Sequence, residues 1–254
     1  MHVSSLTAKK SLGQHFLSDE NMCRKIVDAV MVNQVEQLLE VGPGGGALTK
    51  YFLEKKEISF KAVELDEEKI RFLKQSYPQS INAFIHEDFL NMEIPFHEKF
   101  HIAGNFPYNI SSQILFKILS WKDQVACVTG MFQKEVAQRI AATPGNKVYG
   151  VLTVLIQAFF DVDYLFEVHE KCFTPPPKVK SAVLRLKPKS VAPHYRAEKD
   201  FFLLVKTAFN QRRKTLRNAV RNLFEQSILQ DPIFDRRAEQ LTIADFAGLT
   251  HKMK

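Results

Sequence analysis

The chain has 254 residues, with 35 Lys and Arg against 28 Asp and Glu, a formal net charge of +7. Hydrophobic residues make up 45% and charged residues 25%, which supports a folded core and excludes global disorder, collagen-like and repeat-dominated classes. Three scattered cysteines, Cys23, Cys127 and Cys172, exclude a disulfide framework or a cysteine-rich zinc site and fit a reducing cytoplasm.

In chain order, Met1–Lys10 is basic, but no apolar run follows it, so no secretory signal is expected. No apolar stretch approaches the ~20 residues of a membrane span. The segment Lys10-Ser-Leu-Gly-Gln14-His15-Phe16-Leu17 precedes the first helix. By residue chemistry alone it is a basic segment with one histidine, and a lone histidine is usually not a ligand.

From Val35 onward, short apolar runs alternate with amphipathic stretches. Strands are predicted over Gln37–Val41, Phe60–Leu65, Ala83–His86, Phe100–Gly104 and Gln124–Phe132. Helices are predicted over Leu48–Lys55, Glu67–Gln75 and Ser112–Leu119. Such alternation predicts right-handed βαβ units and a parallel sheet covered on both faces. Helices over Lys134–Ala142 and Gly150–Phe160 then precede strands over Asp161–Glu167 and Ser181–Leu186. The last two are joined through a Pro-rich loop and are expected to pair antiparallel at the sheet edge.

A break at Lys187–His194 carries two prolines and small polar residues. Beyond it the pattern is helical over Phe201–Phe209 and Lys214–Phe224. The expected division is a catalytic domain over 1–187 and a small helical domain over 188–254. Charge follows the same division: the last 67 residues hold 13 Lys and Arg against 7 Asp and Glu, so the excess sits almost wholly there.

Leu39-Glu-Val-Gly-Pro-Gly-Gly-Gly-Ala-Leu-Thr49 joins a predicted strand to a helix. Gly42, Gly44 and Gly46 leave room for a tight turn and a ligand against the backbone. The following helix start presents free N–H groups. Gly42, Gly44 and Ala47 satisfy a loosened dinucleotide fingerprint. Glu40, Gly42, Gly44 and Gly46 satisfy the pattern of S-adenosylmethionine-dependent methyltransferases. Glu64 lies 22 positions after Gly42, at the end of the second strand. An acid there accepts hydrogen bonds from ribose hydroxyls, which implies a nucleoside cofactor without choosing one. Asp66 is expected to cap the next helix. After the third strand, Asp88 is placed to accept from the exocyclic amine of a cofactor adenine, and Phe89 to pack on that ring.

Asn105-Phe106-Pro107-Tyr108 resembles the Asn/Asp-Pro-Pro-Tyr motif of methyltransferases that alkylate planar amino groups. An aromatic amine has its lone pair delocalised into its ring. The Asn105 side-chain carbonyl, with the main-chain carbonyl of Phe106 or Pro107, can accept its two N–H bonds and favour a pyramidal nitrogen. Pro107 fixes the backbone and Tyr108 offers a face for base stacking. In Phe173-Thr-Pro175-Pro-Pro-Lys-Val-Lys-Ser181, three prolines make a stiff extended segment that could hold Phe173 as a second stacking surface. From Lys206 to Arg221 there are six basic residues and no acids. Read as a helix, Arg213, Arg217 and Arg221 share one face. With Arg212 and Lys214 they suit RNA phosphates.

Together these motifs resemble the ribosomal RNA adenine N6-dimethyltransferase family, in its bacterial small-subunit branch, from about Lys9 to Arg221. The resemblance implies an α/β fold: a Rossmann-like class I methyltransferase with a mostly parallel seven-stranded sheet, plus a small all-helical C-terminal domain. It implies that His15 and Leu17 line the methionine end of S-adenosyl-L-methionine, with His15 standing where Asn is common. It places Gly42 and Gly44 under the ligand, Glu64 on the ribose and Asp88 on the adenine. Asn105 would lie between cofactor and target amine, with Tyr108 and Phe173 bracketing the base. The implied substrate is two adjacent adenosines in the 3′-terminal hairpin of small-subunit rRNA, dimethylated within an immature ribosomal subunit. A cytoplasmic monomer without metal or membrane contact is expected. The rival readings are a large-subunit rRNA adenine methyltransferase and a non-catalytic assembly factor on the same fold. An NAD oxidoreductase is more distant, since nothing supplies a hydride-transfer partner.

Overall fold

The computed structural model describes residues 15–32 and 34–254. In chain order the elements are β1 (Phe16–Leu17), α1 (Glu20–Met31), β2 (Gln37–Val41), α2 (Thr49–Leu53), β3 (Ser59–Glu64), α3 (Glu67–Ser76), β4 (Phe84–His86), β5 (Phe100–Asn105), α4 (Ser111–Ser120), β6 (Val125–Gln133), α5 (Lys134–Ile140), α6 (Val151–Phe159), β7 (Phe160–Val168), β8 (Phe173–Thr174), β9 (Ser181–Pro188), α7 (Glu198–Asn210), α8 (Leu216–Ala219) and α9 (Ile243–Thr250). Two compact units emerge. One holds the chain up to Ala137 together with Asp163–Pro188, the other Gln138–Val162 with Lys189–Lys254.

The first unit is built on a seven-stranded sheet of order β4-β3-β2-β5-β6-β9-β7. The pairs β2–β3, β2–β5, β3–β4 and β5–β6 are parallel, and β9 is antiparallel to β6. Both faces are covered, because the consecutive residues Leu38 and Leu39 of β2 point to opposite faces and are both fully buried. This is the expected sheet, with β9 and β7 adjacent at one edge. On one side, Cys23, Ile26, Val27 and Val30 of α1 and Tyr51 and Phe52 of α2 form a continuous core with Leu38, Ala103, Met131 and Val183 of the strands. Asp19 caps α1 by accepting from the Met22 N–H, and Asp66 caps α3 by accepting from Glu68, the role its sequence position predicts. A separate two-stranded ribbon, β1 against β8, pairs Leu17 with Phe173, though neither segment reads as a strand in the sequence.

The second unit departs from the expected division at 187/188: besides Lys189–Lys254 it takes in Gln138–Val162, which packs with the C-terminal helices. Helix α6 is apolar nearly all round, with Leu152, Val154, Leu155, Ile156, Ala158 and Phe159 buried. A helix of that kind needs cover on every side, and α7 and α9 pack against it.

The single helix expected over Lys214–Phe224 is also corrected. Helix α7 ends at Asn210, a turn follows, and only α8 and a 3-10 turn over Arg221–Leu223 remain helical. The Leu216 N–H bonds the Arg236 carbonyl at 2.7 Å, and Lys214 N–H closes a turn on Gln211. These bonds replace the i→i−4 ladder that would have aligned Arg213, Arg217 and Arg221 on one face.

Candidate active site

A cavity of about 1220 Å³ opens where the loops after β2, β3, β4 and β5 meet β1 and the segment after β8. It lies at the C-terminal ends of parallel strands, where α/β sheets bind ligands. Its floor is the loop after β2. Gly42, Gly44 and Gly46 have φ of 70°, 56° and 81°, a region side chains rarely adopt. The loop is also crowded from above: a Cβ on Gly42 would lie 3.6 Å from the Pro107 ring, and one on Gly44 would lie 3.3 Å from Phe16. Close packing thus joins the Gly-rich loop to the Asn-Phe-Pro-Tyr turn and to β1.

Glu64 is 7% exposed. Its Oε2 accepts from the Gly44 N–H and its Oε1 from the Asp66 N–H, each at 3.0 Å. Burial pushes its pKa above the usual carboxylate range, and the two N–H bonds oppose that rise. The buried Lys69 ammonium, paired with Asp66 Oδ2 at 3.3 Å, opposes the rise at Glu64 as well. Asp88 is half-buried in the cavity wall. Its oxygens accept from Leu90 N–H at 2.9 Å and from Asn91 Nδ2 at 2.8 Å, so it also closes its own loop. Phe89 lines the cavity too, but is buried with its ring edge-on to Trp121 at 5.3 Å.

The turn after β5 is fixed from several sides. Phe106 is fully buried, and its ring sits over Gly130 of β6, where a Cβ would collide with it. Asn105 Nδ2 donates to the His15 carbonyl at 3.0 Å. The Pro107 carbonyl accepts from Ser111 Oγ at 3.1 Å and Ile110 N–H at 3.3 Å. The Tyr108 ring stacks on His15 with centroids 5.7 Å apart, and His15 Nδ1 donates to the Pro175 carbonyl at 3.0 Å.

The structure therefore gathers His15, Leu17, Gly42, Gly44, Glu64, Asp88, Phe89, Asn105, Pro107 and Tyr108 around one cavity. The rest of the N-terminal motif, Lys10–Gln14, lies outside the described residues. Phe173 is not brought to the cavity: its side chain is 3% exposed in the core beside Leu17, Cys23 and Val168, and Thr174 and Pro175 reach the wall instead. The residues around the mouth thus differ from the expected Tyr108–Phe173 bracket.

The basic residues divide in two. Arg212 donates to the carbonyls of Lys147 and Tyr149, at 2.7 and 3.0 Å. Arg217 donates to the Leu229 carbonyl at 2.9 Å and pairs with Asp235. Both hold the second unit together. Arg213, Lys214 and Arg221 are exposed.

Glu40, which the sequence marks only as the first residue of the Gly-rich pattern, also lines the cavity. Glu40 is 2% exposed, accepts from Thr49 Oγ1 at 2.7 Å, and is pushed by burial to about 8. An acid inside an otherwise apolar strand is the signal that marks it. Among the described residues, no group of three or more His, Cys, Asp or Glu side chains could hold a metal ion, and no helix is long and apolar enough to cross a membrane.

The cavity exceeds the volume of about 300–1,000 Å³ usual for a single small ligand. It combines a glycine-rich floor, a buried acid, Glu64, in the wall and a planar-amine motif beside them. Those features fit a nucleoside-bearing methyl donor together with a target base.

Comparison with known proteins follows the same lines. The family model described as ribosomal RNA adenine dimethylase matches residues 5–252. The chain is 49% identical over 255 residues to the ribosomal RNA small subunit methyltransferase A of Cytophaga hutchinsonii, covering 99% of both chains. It is 50% identical over 251 residues to the protein of the same name from Phocaeicola vulgatus, covering 97% of this chain and 89% of that one. Among solved structures, a dimethyladenosine transferase from Plasmodium falciparum superposes with a TM-score of 0.75 at 25% identity, over 91% of this chain and 94% of that chain. A 23S rRNA methyltransferase superposes with a TM-score of 0.70 at 21% identity, over 94% and 99%, a likeness of fold.

Proposed function

The chain belongs to the ribosomal RNA adenine dimethylase family, and from that premise we propose that it transfers methyl groups from S-adenosyl-L-methionine to the N6 amines of two adjacent adenosines in the 3′-terminal hairpin of small-subunit rRNA, giving N6,N6-dimethyladenosines. The observation that carries the reading is Asn105, with its amide tied to the His15 carbonyl and its Oδ1 left to accept, beside a Gly-floored cavity.

Gly42 and Gly44 would lie under the cofactor, Glu64 would accept from its ribose, and Asp88 and Phe89 would meet its adenine. His15 and Leu17 would flank the methionine end. The bound cofactor supplies a methyl group on a sulfonium, an electrophile that needs no further activation. The protein's part is then positioning and electrostatics. Asn105 Oδ1 accepts one N–H of the target amine. The Pro107 carbonyl is engaged by Ser111 and Ile110, so the Phe106 carbonyl is the acceptor for the other. In the first transfer both N–H bonds are held, so the nitrogen lone pair is drawn out of the ring and becomes nucleophilic; in the second, the monomethylated amine has one N–H left and one acceptor holds it. Tyr108 gives the base one aromatic wall. No strong general base is required.

Arg213, Lys214 and Arg221 would meet rRNA phosphates on an immature small subunit, with the protein acting as a cytoplasmic monomer. The large-subunit alternative is disfavoured by the small-subunit relatives at about half identity along the whole chain. The test is methylation of small subunits from a strain lacking the mark, using labelled cofactor, followed by mapping of the modified bases. Labelling of two adjacent adenosines near the 3′ end of the rRNA is expected. Labelling of large subunits instead would support the first rival. Tight binding without transfer would support an assembly factor.

A further inference from the structure

The Tyr108 phenol and the Ser181 hydroxyl lie 2.5 Å apart, from positions 73 residues distant in the sequence. Their surroundings differ in kind. Ser181 is fully buried and opens β9, paired in register with Gln133, the last residue of β6. The Lys134 N–H bonds the neighbouring Lys180 carbonyl at 2.9 Å, so both sides of Ser181 are tied to the sheet. Tyr108 instead starts a 3-10 turn and faces the cavity. A rigid element therefore holds the end of a ring carried by a loop.

Other contacts leave the direction of the ring axis to be set. Ser111 Oγ holds the main chain of the turn through the Pro107 and Tyr108 carbonyls, at 3.1 and 3.3 Å. Neither bond limits the swing of the side chain about its Cα–Cβ bond. His15 touches its face, with an interplanar angle of 28°. The Ser181 hydroxyl is the contact at the far end of the lever. Burial raises the Tyr108 pKa above its ordinary value, so the phenol stays protonated and the pair is one between neutral hydroxyls. A buried hydroxyl at Ser181 is costly unless it is bonded, and Tyr108 supplies the bond.

We propose that Ser181 is a positioning residue for methyl transfer: its buried hydroxyl anchors the Tyr108 phenol and so fixes the direction of the ring axis, and with it the place of the wall against which the target adenine lies. The inference rests on Tyr108 being a wall of the base site, as argued above. A wall free to swing loses its contact with the base and lets the amine drift from its acceptors. Small displacements of that kind are expensive in rate.

The test is a double-mutant cycle with Ser181→Ala, Tyr108→Phe and the combined variant, using full-length protein and unmethylated small subunits under single-turnover conditions. Each single change removes one hydroxyl and keeps the ring. Each is expected to slow transfer by about three- to tenfold, the worth of one hydrogen bond. The combined variant should be no slower than either single one, with affinity for S-adenosylhomocysteine and thermal midpoint unchanged by Tyr108→Phe. Losses that multiply in the combined variant would overturn the proposal, because the two hydroxyls would then act separately. So would wild-type rates in Ser181→Ala, or a loss in Ser181→Ala matched by an equal loss of cofactor affinity. Tyr108→Ala separates this from the reading beneath it. If that change leaves transfer intact, Tyr108 is no wall and the base-site reading itself fails. If it abolishes transfer while the cycle is flat, only the role of Ser181 is lost.

Discussion

The side-chain amide of Asn105 donates to the main-chain carbonyl of His15 at 3.0 Å, across ninety residues of sequence. That bond fixes which end of the amide faces the cavity, because the nitrogen is committed and Oδ1 is the acceptor that remains. It also ties the segment before α1 to the turn after β5 through its backbone, whatever the side chain at position 15.

Asn105→Ala removes the acceptor and leaves the Gly-rich floor, Glu64 and Asp88 in place. Methyl transfer should fall by about a hundredfold or more, the scale of losing one preorganised polar group at a reacting centre. Cofactor affinity, measured by calorimetry with S-adenosylhomocysteine, should change little. Equal losses in binding and turnover would make Asn105 a cofactor or folding residue instead.

Glu40 gives the free protein a pH dependence with a definite sign. Its folded pKa of about 8 stands above the ordinary glutamate value of 4.5, with burial as the leading cause. Between those values the folded state holds a proton that the unfolded state has released. The stabilisation is therefore complete below pH 4.5 and is lost as pH rises through about 8. The thermal midpoint of the cofactor-free protein should decline across this window, and Glu40→Gln should flatten the decline. A wild-type midpoint that rises steadily from pH 5 to 8 would contradict the assignment.

The strands were legible because buried parallel strands read as short continuous apolar runs. The prediction over Gln37–Val41 matches β2 to the residue, and the glycines and acid after it announce the site. What escaped is what depends on partners distant in sequence. Nothing local says that Phe173 pairs with Leu17 in a ribbon and turns into the core. Nothing near Lys214 shows that Arg236 will take the Leu216 N–H and end the helix, or that Arg212 and Arg217 will bond carbonyls. Ser181 reads as the start of a strand, and its meaning comes only from Tyr108.

The two kinds of basic residue should behave differently when reversed. Arg213→Glu, Lys214→Glu and Arg221→Glu together should weaken binding to small subunits and lower the dependence of log affinity on log salt by roughly two to three, about one per phosphate contact. Cofactor affinity and thermal midpoint should hold. Arg212→Glu and Arg217→Glu should instead lower the midpoint, because the first leaves the Lys147 and Tyr149 carbonyls without that donor and the second leaves the Leu229 carbonyl and Asp235 without theirs. Unchanged affinity for small subunits in the triple variant would remove the basic surface from the mechanism.

Phe173 separates a core role from a stacking role. Its ring is 3% exposed among Leu17, Cys23, Val168 and Val183. Phe173→Ala would open a cavity there and cost about 3–5 kcal/mol of stability. Phe173→Leu keeps an apolar side chain and most of the volume, at a smaller cost. If the ring only packs the core and anchors the Pro-rich segment, Phe173→Leu should transfer methyl groups at close to the wild-type rate, while Phe173→Ala loses rate and thermal midpoint together. If the ring turns out to stack on the target base during the reaction, Phe173→Leu should keep its midpoint and still lose transfer, since leucine has no aromatic face to offer. Measuring midpoint and single-turnover rate on the same two variants decides between them.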